Sequence, residues 1–120
     1  MVFLEKHHED YSLNRQTFSQ SANDMRSLLR LGSDVDPYDV DMFSLPDSAR
    51  LPRYWTPDDD AFAQDWASIV GWVHPPYSMG KRVLDKILAT SCFTGAVCLP
   101  DWPSQAWYTQ FHNICTTFRT

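Results

Sequence analysis

The residues with the strongest claim to chemistry are consecutive: His74-Pro75-Pro76-Tyr77-Ser78, at the end of the apolar run Gly71-Trp72-Val73. Each proline fixes φ at about −65° and removes a backbone donor, so a strand here must stop at His74. The next residues form a stiff, extended corner at a strand's carboxyl end, where open α/β sheets bind ligands. The same tripeptide also serves plain loops and WW-domain ligands. Three acids form a second group. Asp39 and Asp41 lie in Asp39-Val40-Asp41-Met42-Phe43, which reads as a short strand, and Asp65 falls just before the Gly71 strand. A carboxylate inside a buried strand is costly unless it is paired or faces a ligand. Acids so placed accept from a ribose, an amino group or a cofactor's polar edge, or else take up turn backbone donors. Lys81, Arg82 and Lys86 form a third group, on the polar face of the helix after the corner. They serve either as phosphate contacts or as solvated helix surface.

Metal and disulfide chemistry find little support. Cys92, Cys98 and Cys115 make no CxxC pair and leave one odd, which argues against a zinc site and a disulfide framework. Cys98 in an apolar strand and Cys115 on a helix face read as buried structural thiols. His7-His8 reads as solvated tail. The net charge of −5 argues against a domain that grips a nucleic-acid backbone tightly and unaided, while leaving room for a local site. Arg50, Arg53, Lys81, Arg82 and Lys86 supply half of the ten basic residues, which concentrates them around the corner. No apolar run is long enough for a transmembrane helix, and the first residues are too short a run for a signal peptide. A soluble, intracellular protein of nucleus or cytoplasm is expected.

These groups must be positioned by a small number of elements. Residues 1–12 read as a polar tail and 13–120 as a single domain. Phe18, Ala22, Met25 and Leu29 recur at helical spacing between Asn14 as a cap and Gly32 in the left-handed closing position. A strand comes next over 39–43, then a proline-broken stretch in which Asp60 caps one helical turn. The Gly71 strand leads to a helix over Met79–Thr90, capped by Ser78, with Met79, Val83, Leu84, Ile87 and Leu88 on its apolar face. The run Gly95-Ala96-Val97-Cys98-Leu99 is a third strand ending at Pro100-Asp101-Trp102-Pro103. A helix between two apolar strands is a βαβ unit with parallel strands. Trp107, Phe111, Ile114 and Phe118 mark a C-terminal helix starting near Ser104. The result is an α/β protein: a small three-layer, Rossmann-like unit with a short, mainly parallel sheet. Its His74 and Pro100 corners are neighbours on one sheet edge.

The corner resembles motif IV of the amino-methyltransferases, written Asp/Asn-Pro-Pro-aromatic. The resemblance extends through Val40-Asp41-Met42-Phe43, Leu51-Pro52-Arg53-Tyr54, Asp60-Ala61-Phe62, Arg82-Val83-Leu84-Asp85-Lys86-Ile87 and Pro100-Asp101-Trp102-Pro103-Ser104-Gln105-Ala106-Trp107. This order is similar to the methyltransferase-like domain that lies after reverse transcriptase and RNase H in DIRS-type retrotransposon polyproteins. More loosely, it is similar to phage-type DNA adenine-N6 methyltransferases. The resemblance implies that His74, Pro75, Pro76 and Tyr77 face a target base, the first residue and a proline carbonyl accepting from its amine and the aromatic stacking on it. It implies that Asp39, Asp41 and Asp65 lie toward S-adenosylmethionine, with no metal. Two departures argue against catalysis. No GxG loop exists among Gly32, Gly71, Gly80 and Gly95, and His74 brings an imidazole where the motif has a carboxylate or amide oxygen. The favoured expectation is a retroelement-derived, methyltransferase-like module without catalysis, acting in nucleic-acid-associated binding or assembly with a protein partner. An active, minimal S-adenosylmethionine-dependent amino-methyltransferase on DNA or RNA is the alternative. A structural protein-interaction subunit is the second.

Overall fold

Strict alternation along two strands decides where the core sits. In β3 (Val70–Val73) and β4 (Thr94–Pro100), Trp72, Ala96 and Cys98 face one side of the sheet and Val73, Val97 and Leu99 the other. Both sides of these strands are therefore apolar, the pattern of a parallel sheet covered on two faces. The computed structural model describes residues 2–7, 15–90, 92–100, 104–114 and 117–119. Its five strands lie in the order β2-β3-β4-β1-β5, where β1 is Val2–His7, β2 Val40–Asp41 and β5 Thr117–Arg119, and every neighbouring pair is parallel.

Helix α1 (Arg15–Leu29) covers the Trp72 face. Phe18, Ala22, Met25 and Leu29 pack there with Tyr38, Ala96 and Cys98, and a buried hydrogen bond of 2.6 Å joins the Ser21 and Tyr38 hydroxyls. Helices α2 (Gly80–Ala89) and α3 (Tyr108–Ile114) cover the opposite face, where Val83, Leu84, Ile87, Trp107 and Phe111 meet Val40, Val73, Val97 and Leu99. The three-layer α/β unit and the parallel β3–α2–β4 crossover are as the sequence predicts. No helix among the described residues is long and apolar enough to cross a membrane.

Several local expectations are corrected. Val2–His7 is no tail: it pairs with β4 on one side and β5 on the other. Glu5, Lys6 and His7 interrupt the apolar run, so only pairing reveals the strand. Helix α1 closes at Arg30 rather than Gly32. Arg30 takes φ 57°, its N–H reaches the Ser27 carbonyl at 3.3 Å, and the Leu31 N–H reaches Arg26 at 2.9 Å. This is a Schellman ending, and it falls where the apolar stripe ends at Leu29. Ser78 does not cap α2. A tight 3-10 turn over Tyr77–Met79, with the Met79 N–H on the Pro76 carbonyl at 2.9 Å, leads into the helix proper at Gly80. Leu88, expected on the apolar face, is exposed. Phe118 belongs to β5, not to a helix. Cys115 and the Asp101–Pro103 corner lie outside the described residues.

Candidate ligand-binding site

β2 is only two residues long, yet the chain builds a wall beyond it. The segment Arg53–Trp55 runs beside the strand: the Asp41 N–H donates to the Arg53 carbonyl at 3.0 Å, the Trp55 N–H to Asp41 at 2.9 Å, and the Ser44 N–H to Trp55 at 3.0 Å. These bonds cover the edge of the sheet and bring Trp55 over the carboxyl end of β2. Asp60 then takes φ 48° and its carboxylate accepts the Phe62 N–H at 3.2 Å, capping the turn Ala61–Ala63. That turn presents Phe62 to Phe43 at a centroid distance of 5.5 Å and to Trp66 at 6.0 Å.

Between this wall, the end of β3 and the first turn of α2 lies a cavity of about 570 Å³, within the range of small-molecule sites. Phe43, Trp55 and Phe62 form its aromatic side, and His74, Pro76 and Arg82 border it from the strand end and the helix. A second, polar cavity of about 230 Å³ is lined by Asp41, Ser44, Ser48, Arg50, Trp72 and His74. Half-buried His74 borders both. The prolines set where the strand stops: β3 ends at Val73, directly before His74 and the Pro75-Pro76 pair.

Asp41 is buried in the wall of the polar cavity. Its carboxylate accepts the Arg50 N–H at 2.9 Å, which ties the 44–50 loop back onto β2. Burial raises the Asp41 carboxyl above its ordinary range, against the opposing pull of the Arg50 and Phe43 N–H groups, the Arg50 charge and the Ser44 hydroxyl. The folded chain thus holds this proton more tightly than the unfolded chain does, so ionising Asp41 costs stability as pH rises from the ordinary carboxylate value through the raised one. Asp41→Asn keeps an oxygen for the Arg50 N–H and cannot ionise. Urea unfolding across pH 4 to 7 is therefore expected to show wild type losing stability relative to Asp41→Asn as pH rises, the gap levelling off once Asp41 is ionised. A constant gap would contradict the burial argument.

The other acids stand elsewhere. Asp39 sits at the amino end of the sheet, its carboxylate accepting the Val70 N–H at 2.7 Å and its own N–H donating to the Val70 carbonyl at 2.7 Å. Asp65 is exposed and accepts the Ala67 N–H at 2.9 Å in the turn before β3. Neither comes to the two cavities: Asp39 ties the start of β2 to the start of β3, and Asp65 completes a local turn. The basic residues are also engaged. Lys81 pairs with Asp85 at 2.7 Å, and this pairing holds the Asp85 carboxyl below its ordinary range with help from Gln110. Lys86 donates to the Phe62 carbonyl at 3.0 Å and lies 5.6 Å from the centre of the Trp66 ring. Arg82 stacks over Phe62 with its guanidinium carbon 4.0 Å from the ring centre. Of the corner, Pro75 is buried, Pro76 lines the large cavity, and Tyr77 opens the 3-10 turn. Phe43 and Phe62 of the aromatic wall fall within the ordered motifs Val40-Asp41-Met42-Phe43 and Asp60-Ala61-Phe62, whereas Trp55 of the wall and Ser44, Ser48 and Arg50 of the polar cavity carry no motif. For Trp55 the sequence signal is the density of aromatics over residues 43–66.

A parallel α/β sheet covered on both faces, with Pro-Pro-Tyr closing a strand that leads into a crossover helix, is a methyltransferase-like fold. Residues 26–115 match the family of DNA N-6-adenine-methyltransferases (Dam). The chain belongs to that family. No curated protein and no solved structure matches it.

Proposed function

We propose that this Dam-family domain is a retroelement-derived, methyltransferase-like module that binds nucleic acid by accepting a base in the aromatic cavity, without transferring a methyl group. The observation that carries the reading is the cavity itself: three aromatic side chains opposite His74 and Pro76 at the carboxyl end of β3. An apolar slot with few polar groups suits a planar ring, and base–aromatic contact tolerates sequence variation. His74, Pro75, Pro76 and Tyr77 form the corner that faces the ring, a neutral imidazole accepting one hydrogen bond from an exocyclic amine. The retroelement origin rests on the ordered motifs from Val40 to Trp107. A protein partner is part of the proposal, because Lys81 and Lys86 are held by internal oxygens and the net charge is −5.

S-adenosylmethionine, the methyl donor implied by the resemblance, does not fit the residues at the end of β2. The loop over 44–50 contains no glycine to let backbone approach a ligand, and the Asp41 carboxylate is occupied by the Arg50 N–H. The polar cavity is less than half the volume of its aromatic neighbour, at 230 Å³ against 570 Å³. Calorimetric titration with S-adenosylmethionine and S-adenosylhomocysteine, and with a short single-stranded oligonucleotide, tests the reading. No heat from either cofactor, with oligonucleotide binding weakened in His74→Ala, is the expected result. Micromolar cofactor binding that Asp41→Asn abolishes would overturn it in favour of an active amino-methyltransferase.

A further inference from the structure

The rim of the aromatic cavity carries a charge that the packing does not require. Arg82 lies in the first turn of α2, where a positive charge opposes the helix dipole. Its neighbour Lys81 is compensated by Asp85 at 2.7 Å, and Lys86 on the next turn donates to the Phe62 carbonyl at 3.0 Å. Arg82 has no such partner among the described residues. Its guanidinium is exposed, lies 4.0 Å over the centre of the Phe62 ring and borders the cavity. Stacking on a ring fixes the plane of the guanidinium and leaves its N–H groups pointing outward. The cavity thus joins an aromatic interior to one oriented fork of donors that no carboxylate among the described residues compensates. The opposing charge is Asp60, also on the rim, whose carboxylate accepts the Phe62 N–H at 3.2 Å.

We infer that Arg82 makes this cavity selective for a nucleotide over a nucleoside. The base lies among Phe43, Trp55 and Phe62, and the guanidinium takes the phosphate attached to the same sugar. A planar ring alone would need no cation at the rim, and a free anion would need no aromatic interior. A guanidinium suits phosphate because its parallel N–H groups match two oxygens at once. The inference rests on the ring-binding reading above and adds to it the charge of the ligand. The phosphate belongs either to a free nucleotide or to a unit within a strand.

Titration of the whole chain with adenosine and with adenosine 5′-monophosphate, at one ionic strength, tests this directly. The monophosphate is expected to bind at least about tenfold more tightly, a difference typical of one charge-assisted pair. Arg82→Gln, which keeps a long helix-compatible side chain, is expected to erase that difference. Competition by a short single-stranded oligonucleotide identifies a strand as the source of the phosphate, and its absence identifies the free nucleotide; both agree with the inference. Equal binding of nucleoside and monophosphate to wild type would sink the role of Arg82 and leave the ring-binding reading standing. A difference that survives in Arg82→Gln would do the same. Binding of neither compound would overturn both.

Discussion

Trp66→Ala is expected to cost about 4 kcal/mol, the range for emptying a fully buried tryptophan site. Trp66 has no exposed surface, and its indole stands 6.0 Å from the ring centres of both Phe62 and Phe93 and 6.4 Å from Phe43. It is the piece that ties the aromatic wall of the cavity to the strand core. Its N–H donates to the Ala61 carbonyl at 2.8 Å, so the same side chain holds the turn that presents Phe62. Removing it opens a void between the wall and Phe93 and frees that turn. Since a domain of this size has only about 5–15 kcal/mol in hand, the variant should unfold at a much lower urea concentration. Trp66→Phe separates the two contributions: most of the packing survives while the Ala61 carbonyl loses its donor, and a loss nearer 1–2 kcal/mol is expected. If Trp66→Ala unfolds within about 1 kcal/mol of wild type, measured by far-ultraviolet circular dichroism, Trp66 does not join wall to core.

The cavity wall is also where sequence reasoning ran short. The β3–α2–β4 unit is legible because each element announces itself locally: alternation or a continuous apolar run for the strands, i, i+4 spacing for the helix, and prolines for the stop at His74. Asp60 as a turn cap is legible for the same reason. The side that Trp55 and Phe62 face is not, since their neighbours are prolines and aspartates and no period marks it. Trp55 reaches the cavity through backbone bonds from Arg53–Trp55 to Asp41 and Ser44, and Phe62 through the turn that the Trp66 indole holds. β1 was hidden in a similar way. A strand with partners on both sides needs no alternation, and Val2-Phe3-Leu4 alone is too short to outweigh the charges after it.

The acids teach a related lesson. Asp39, Asp41 and Asp65 are alike as residues in a sequence and differ entirely in what their oxygens meet. Asp39 and Asp65 take backbone N–H groups near the amino end of β3, whereas Asp41 alone lies on the wall of a cavity. Short-range order distinguishes a turn acid from a site acid only when the turn is already known. The basic trio divides in the same manner: among the described residues Lys81 and Lys86 meet oxygens and Arg82 meets the Phe62 ring, a difference that position on the helix does not show.

Gly95→Ala is expected to destabilise by about 3 kcal/mol, the upper part of the range for forced overpacking. Gly95 lies opposite Gly71 in the β3–β4 ladder. A Cβ on Gly95 would stand 2.6 Å from the Gly71 carbonyl oxygen, 3.2 Å from the Gly71 nitrogen and 2.8 Å from the Phe93 ring. A carbonyl fixed in the ladder cannot retreat without opening the sheet beneath His74, so the strain has nowhere to go. Gly71→Ala is the informative contrast. Its Cβ would collide with the Met42 methyl at 2.2 Å and approach the sulfur at 3.1 Å, but that is the far end of a flexible side chain. Met42 can swing away, into the cavity it lines. Gly71→Ala should therefore cost only about 1 kcal/mol while weakening ligand binding, whereas Gly95→Ala should act chiefly on folding. Urea midpoints for the two variants give the order of the stability effects. If Gly71→Ala proves the more damaging, the pressure in this glycine pair lies on Met42 and the cavity side, not on the backbone between the strands.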